Sequence, residues 1–396
     1  MKRSGIAIGA ILCPILLTLV VLTTGSTVAA QQHGAMAAQP MPFDQPIGEG
    51  SSGNAESVVF QDAYVYRFDA QLEAFETFTI PTKGARPHSI AAMPRAVGQE
   101  VWFTEPGADQ VGRLVYTSTG VFAFDEFPVG AGSEPFNLAV DSGRQVVWFT
   151  ERSSNRIGGL FIGSGNVPAY VSFTVPTADS EPTDVDLAPN GSVWFTEMAA
   201  DNIGQLVVTS PTDGAFTEYP ITGTGEHVGA YAIAVQSDDY VWFSEINTGV
   251  VKRLRVADPP RYLWVSQLGR YSYPHALVVD NGRFLLWLTE RHSNQLGHVE
   301  LGTLFIVNQF DIEPNTAMRP TGLTLLNDDE LWFSGQGSGQ IGRMVYTSPT
   351  QFEFDLYDLP YDHLWAMDIT STDDGALWVV AYSPMPVSLP VVLKHP

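Results

Sequence analysis

Two histidines in this chain follow prolines, each where an imidazole could handle a proton or a cation: His88 in Arg86-Pro87-His88 and His275 in Tyr273-Pro274-His275. The first has acidic company, because Glu134-Pro135-Phe136 and then Glu151 follow further along. A neutral imidazole flanked by two carboxylates suits general-base work or divalent metal binding. With waters completing the shell, these groups are ligands enough for Mg2+ or Ca2+. His88, Glu134 and Glu151 are therefore the candidate catalytic residues, and Glu134 and Glu151 the candidate metal ligands. No Gly-rich phosphate loop, serine elbow or zinc helix motif is present.

What positions these residues is a repeat. Tryptophan recurs at 102, 148, 194, 242, 287, 332 and 378, with gaps of 46, 46, 48, 45, 45 and 46 residues. The strand around it reads Trp-Phe-Thr-Glu at 102, 148 and 194, Trp-Phe-Ser-Glu at 242 and Trp-Leu-Thr-Glu at 287, then Trp-Phe-Ser-Gly at 332 and Trp-Val-Val-Ala at 378. A period of this length, built from short strands and turns without a helical pattern, predicts an all-β, seven-bladed β-propeller of four-stranded blades.

Residues 181–222 show one unit. Residues 185–188 alternate, Asn190-Gly191 is a hairpin turn, and residues 193–197 form the next strand. Asp201-Asn202 turns the chain again before residues 203–208 and 216–221. The last unit lacks its outer strand, and residues 75–81 match outer strands elsewhere in character. The N-terminal strand is thus expected to close the ring and remove an exposed edge. Residues 64–68 and residues 391–393 both remain candidates for the third strand of that blade.

In such a ring the inner strand starts, and the second strand ends, at the same rim of the central channel. One set of residues there varies on a fixed frame: His88, Phe136, Thr183, Tyr231, His275, Thr321 and Met367. Phe136, Thr183, Tyr231, His275, Thr321 and Met367 are the candidate substrate-binding residues, since propellers build specificity by varying residues on a constant scaffold. The other set is Glu105, Glu151, Glu197, Glu245 and Glu290, replaced by Gly335 and Ala381 in the last two units. Their recurrence fits a scaffold role, each glutamate capping backbone donors of the adjacent loop in the same way. His227, His292, His298 and His363 lie outside the varying set and are expected to face solvent.

Composition sets the outer bounds. The formal net charge of −23 argues against nucleic acid and favours cationic or neutral partners. Residues 1–30 read as a signal peptide: Lys2 and Arg3, an apolar stretch, then Val28-Ala29-Ala30 before Gln31. The alternative is an uncleaved N-terminal membrane anchor. Cleavage would remove Cys13, the only cysteine, and with it any disulfide, thiol nucleophile or zinc–thiolate site. Residues 31–56 read as a disordered linker and 57–396 as the propeller. The expected product is a secreted or periplasmic protein, monomeric, with no membrane contact after cleavage, taking a small molecule, peptide or glycan.

The repeat sentence Pro87-His88-Ser89-Ile90, Val101-Trp102-Phe103-Thr104-Glu105 and Gln110-Val111-Gly112-Arg113-Leu114 resembles the virginiamycin B lyase (streptogramin lyase) family. So do Asn155-Arg156-Ile157-Gly158 and Asp201-Asn202-Ile203-Gly204, and the likeness runs through all seven units. The resemblance implies a seven-bladed ring and, in the true lyases, Mg2+-assisted β-elimination that opens a cyclic depsipeptide lactone. There a metal polarises the ester region and a histidine abstracts the α-proton. The family's catalytic group is a Pro-His in one blade, a Glu-Pro-His in the next and a glutamate in that second blade's second strand. Arg86-Pro87-His88 matches the first element, Glu134-Pro135 begins the second, and Glu151 matches the last to within about a residue of loop length. Phe136 stands where the base histidine belongs. Two readings follow: a binding propeller, or a metal-dependent lyase or lactonase-type hydrolase on the same site.

Overall fold

The computed structural model describes residues 62–384 except 118–119, 164–166, 222–225, 258, 302–306, 315–316, 328–329 and 349–350. The expected signal, the linker and residues 391–393 lie outside the described residues. Within them the chain forms seven antiparallel four-stranded sheets set in a ring, a seven-bladed β-propeller. Helix is confined to one short turn, Pro106–Ala108. No described helix is long and apolar enough to cross a membrane.

Each blade runs outward from the channel. The inner strands of blades one to seven are Ile90–Met93, Pro135–Asp141, Pro182–Leu187, Ala230–Ser237, Pro274–Asp280, Pro320–Asn327 and Trp365–Ser371. The second strands carry the tryptophan motif, as in Gln99–Glu105, Val146–Glu151 and Leu285–Glu290. Alternation of side chains across each second strand sends Trp and Phe to opposite faces. Seven buried clusters result, each bridging two blades: Trp102 packs with Phe149, Trp148 with Phe195, Trp194 with Phe243, and Trp378 with Phe103. The ring is therefore held by one tryptophan reaching forward and one Phe, Leu or Val reaching back at every joint.

Closure uses two N-terminal strands. Ala63–Asp69 pairs with Ala376–Tyr382, and Ala74–Thr79 pairs with Ala63–Asp69, completing blade seven. The third-strand question thus resolves in favour of the segment containing residues 64–68. Phe68 seals the join, fully buried with its ring 5.6 Å from that of Trp332 in blade six.

The third strands show why glycine follows an aliphatic residue in the motif. A Cβ at Gly204 would lie 2.1 Å from Cζ of Phe195, because that ring lies flat over the neighbouring backbone. Gly204→Ala is expected to cost about 1–3 kcal/mol by overpacking, read by urea unfolding; an unchanged midpoint would contradict this packing. Removing residues 57–81 strips two strands from blade seven and bares an unpaired edge, so the truncated chain is expected to aggregate. A soluble truncated monomer with the parent Tm would contradict the closure.

Candidate functional site

The channel mouth is shaped by a repeated backbone device. Immediately before the hub strand, Arg86, Glu134, Glu181, Gly229, Tyr273 and Arg319 all adopt left-handed conformation, with φ between 50° and 63°. The pairing register then slips between Pro135 and Leu138, Pro182 and Val185, Ala230 and Ile233, Pro274 and Leu277, and Pro320 and Leu323. Such bulges re-aim side chains. Side chains from the turn between the second and third strands brace the loops. Asp109 accepts the N–H groups of Gly132 (2.7 Å) and Glu134 (2.9 Å), and Asp201 accepts that of Gly229 (2.9 Å).

The hydroxyl in Trp-Phe-Thr-Glu locks each bulge to the next blade. Thr150 Oγ1 accepts the N–H of Asn137 (3.1 Å) in its own blade and donates to the carbonyl of Thr183 (3.0 Å) in the next. Thr104 joins Ser89 to Phe136, Thr196 joins Asp184 to Tyr231, Ser244 joins Ala232 to Pro274, and Thr289 joins Ala276 to Thr321. All five side chains are fully buried. In blade six Ser334 accepts the Gly322 N–H and meets Thr321 Oγ1, which reaches the Ala366 carbonyl. Blade seven has Val380 at the corresponding place, and Asp368 makes the join instead, accepting Ser89 Oγ and the Ile90 N–H, both at 3.0 Å.

This lock decides which expected residues face the channel. A cavity of about 630 Å³ is lined by His88, His275, Thr321 and Met367, together with Asn137, Asp184, Asp186 and Asp368. Thr183 is fully buried with its hydroxyl donated to the Glu181 carbonyl at 3.0 Å, and the Thr321 hydroxyl is engaged in the hub. Tyr231 is buried with its hydroxyl 3.0 Å from Nε2 of His275. The Phe136 ring stacks on His88 with centroids 3.6 Å apart, and the Arg152 guanidinium covers it at 4.5 Å.

His88 has a defined tautomer. Asn137 must present its amide nitrogen to Asp184 Oδ1 (2.8 Å), which turns its oxygen to His88 Nδ1 (2.9 Å). Nδ1 therefore carries the proton and Nε2 the lone pair. Burial, then the Arg152 charge, lowers the pKa of this imidazole to about 3. His275 is held well below the usual range by burial and by Arg291. Asp184, Asp186 and Asp368 were not foreseen. Burial pushes them up to about 7, 6 and 6, although each accepts two backbone N–H groups.

The second-strand glutamates lie inside the blades, all fully buried. They do not cap backbone donors uniformly, as the repeat suggested; their partners are side chains that differ by blade. Glu105 takes Gln110 (2.9 Å), Glu151 takes Tyr170 (2.7 Å) and Ser154 (3.0 Å), Glu197 takes Asn202 (3.2 Å), and Glu290 takes Gln309 (2.8 Å). Glu245 pairs with buried Lys252 at 2.5 Å. Burial raises Glu105 to about 8 and Glu197 and Glu290 to about 7. His298 also departs from expectation. It is fully buried, edge-on to Trp287 at 4.8 Å, with Nε2 2.8 Å from Asn308. A strand position facing the next blade, not histidine's polarity, decides its place.

Glu134 and Glu151, the expected metal ligands, have separate protein partners. Glu134 pairs with Arg152 at 3.6 Å and accepts from Ser153, whereas Glu151 is enclosed with Tyr170 and Ser154. Among the described residues no group of three or more His, Cys, Asp or Glu side chains is arranged to hold a metal ion. Hard cations take several free oxygens, and this pair, so engaged, does not fit Mg2+.

Ring, hub and mouth together define a seven-bladed β-propeller. The sequence model of the virginiamycin B lyase family matches residues 214–384, which supports the resemblance carried by the motifs. That segment holds His275 and Arg291 but not the half containing His88, Phe136 and Glu151. A virginiamycin B lyase from Staphylococcus aureus is 22% identical, with 80% of this chain and 99% of that one covered and a TM-score of 0.63. A catalytically inactive form of that lyase, solved with quinupristin, gives 22%, 76%, 97% and 0.63. A streptogramin B lyase gives 24%, 82%, 99% and 0.64. At these identities the likeness carries the fold. No curated protein matches the chain by sequence.

Three outcomes are expected. Thr150→Val leaves the Asn137 N–H and the Thr183 carbonyl without their partner and should cost about 1–3 kcal/mol for each unsatisfied group, with Thr150→Ser largely restoring stability; equal stability of both variants in urea would contradict the lock. Carboxylates raised in the native state stabilise fully below their unfolded values near 4 and lose that contribution as pH rises to their native values. The depressed histidines act oppositely, between 6.5 and their low native values, and are neutral in both states above it. Between pH 6.5 and about 8 only the carboxylates act, so Tm should fall across that window; a rising Tm would contradict the assignment. Millimolar Mg2+ should leave Tm unchanged, whereas a rise abolished by Glu134→Ala would restore the metal reading.

Proposed function

We propose that the chain is a ligand-binding propeller that takes a small molecule or short peptide at the channel mouth and does not carry out the ring-opening elimination of the true lyases. The observation that carries this reading is Phe136. A phenyl ring cannot accept a proton, and here it is held between His88 and the Arg152 guanidinium with no room to move aside. His88 does not replace the missing base, since a native pKa of about 3 makes its nitrogen a weak proton acceptor at neutral pH. What the mouth retains is a recognition surface: aromatic faces, one imidazole with a fixed tautomer and another bonded to a tyrosine. A lyase of the same fold has been solved with quinupristin, which supports the reading that this scaffold can take a ligand. The N-terminal segment supports action outside the cytoplasm.

The wild-type chain should open a cyclic depsipeptide lactone roughly 10²–10⁴ more slowly than an enzyme that carries the base, because that is what loss of a general base costs. Phe136→His should gain measurable turnover. Robust lactone opening by the wild type, followed by mass spectrometry, would overturn the proposal.

A further inference from the structure

We infer that the guest of this mouth is a small organic anion whose carboxylate is seated on Arg291 with Arg319 beside it, an inference that rests on the ligand-binding reading above. Blades two and five form an internal comparison. In each, an arginine follows the second-strand glutamate, and its N–H donates to the carbonyl of the left-handed residue before the hub proline: Arg152 to Glu134 at 3.2 Å, Arg291 to Tyr273 at 3.1 Å. In blade two that residue is acidic and neutralises its arginine at 3.6 Å. In blade five it is Tyr273, whose ring lies 5.7 Å from the guanidinium. The side-chain hydrogen bond of Arg291 goes to the uncharged amide oxygen of Gln336, at 2.8 Å from Nε.

Gln336 in turn stands in blade six, where the left-handed residue is itself an arginine, Arg319. Among the described residues neither Arg291 nor Arg319 forms an ion pair within 4.0 Å. Both charges bear on His292, and that of Arg291 reaches His88 and His275 as well. The chain as a whole is strongly negative, at −23. At physiological salt, however, charges beyond about 8 Å are largely screened, so a guest at the mouth responds to this local cationic spot. Hydrogen bonds from a guanidinium to a carboxylate are about twice as strong as neutral ones. Beside Arg291 the Tyr273 ring stacks on His292 at 4.4 Å. This partly exposed aromatic pair suits an aromatic or apolar body on the same guest.

The test is calorimetric titration of the full chain with benzoate, benzamide and benzylammonium, which share a shape and differ in charge. Benzoate is expected to bind about tenfold or more tighter than benzamide, the effect of one charge-assisted hydrogen bond. Arg291→Gln should remove the advantage of benzoate over benzamide, and Arg291→Lys should keep most of it. Benzamide or benzylammonium binding as tightly as benzoate, with His275→Ala abolishing it, would overturn the anion inference and leave the ligand-binding mouth standing. Benzoate binding indifferent to Arg291→Gln would overturn it too, and no binding by any of the three would overturn both readings.

Discussion

A buried hydroxyl in six of the seven blades holds this molecule to its shape. A propeller hub brings seven strand ends together around a void, where backbone groups cannot all pair within their own sheets. An unpaired buried N–H or carbonyl costs about 1–3 kcal/mol. In the first five blades the Thr or Ser of the tryptophan motif meets both needs, accepting from the hub strand of its own blade and donating to the next, from Thr104 through Thr289. Where the seventh blade carries Val380, the Asp368 carboxylate makes the join. A hydroxyl can do this because it donates and accepts at once.

The same lock explains why chemistry is confined to so few side chains. With bulge and carbonyl fixed, the residues at the mouth vary without disturbing the ring, and much of their polar capacity goes into the scaffold. Thr183, Thr321 and Tyr231 spend their hydroxyls on protein partners, and the second-strand glutamates face inward between strands. What stays half-exposed at the mouth is His88 on one side and Tyr273, His275 and Arg291 on the other. Blade two balances its arginine with Glu134, while blade five does not.

The ring, its seven blades and its N-terminal closure were legible because tryptophan spacing reports a covalent period that packing cannot blur. The turn at Asp201-Asn202 was legible for the same reason. The channel carboxylates were not. A bulge breaks the two-residue alternation from which facing is inferred, so Asp184 and Asp368 point inward one position past the residues expected to do so. The role of the motif threonine was not legible, because its two hydrogen-bond partners lie in different blades. The side-chain partners of the glutamates, Gln110, Tyr170, Asn202 and Gln309, were not legible, because they sit on third or fourth strands at positions that differ from blade to blade. His298 shows the limit of residue type as a guide, since its strand position buries it against Trp287 whatever its polarity.

The central claim, that hydroxyl locks at the hub hold the ring as one cooperative unit, is tested most directly by native-state amide hydrogen exchange. The amides of Asn137, Asp184, Ala232 and Ala276 donate to the lock hydroxyls. They should exchange only through global unfolding, at a common free energy matching that from denaturant. Exchange of these amides through local opening, at rates close to those of the exposed outer strands, would contradict it.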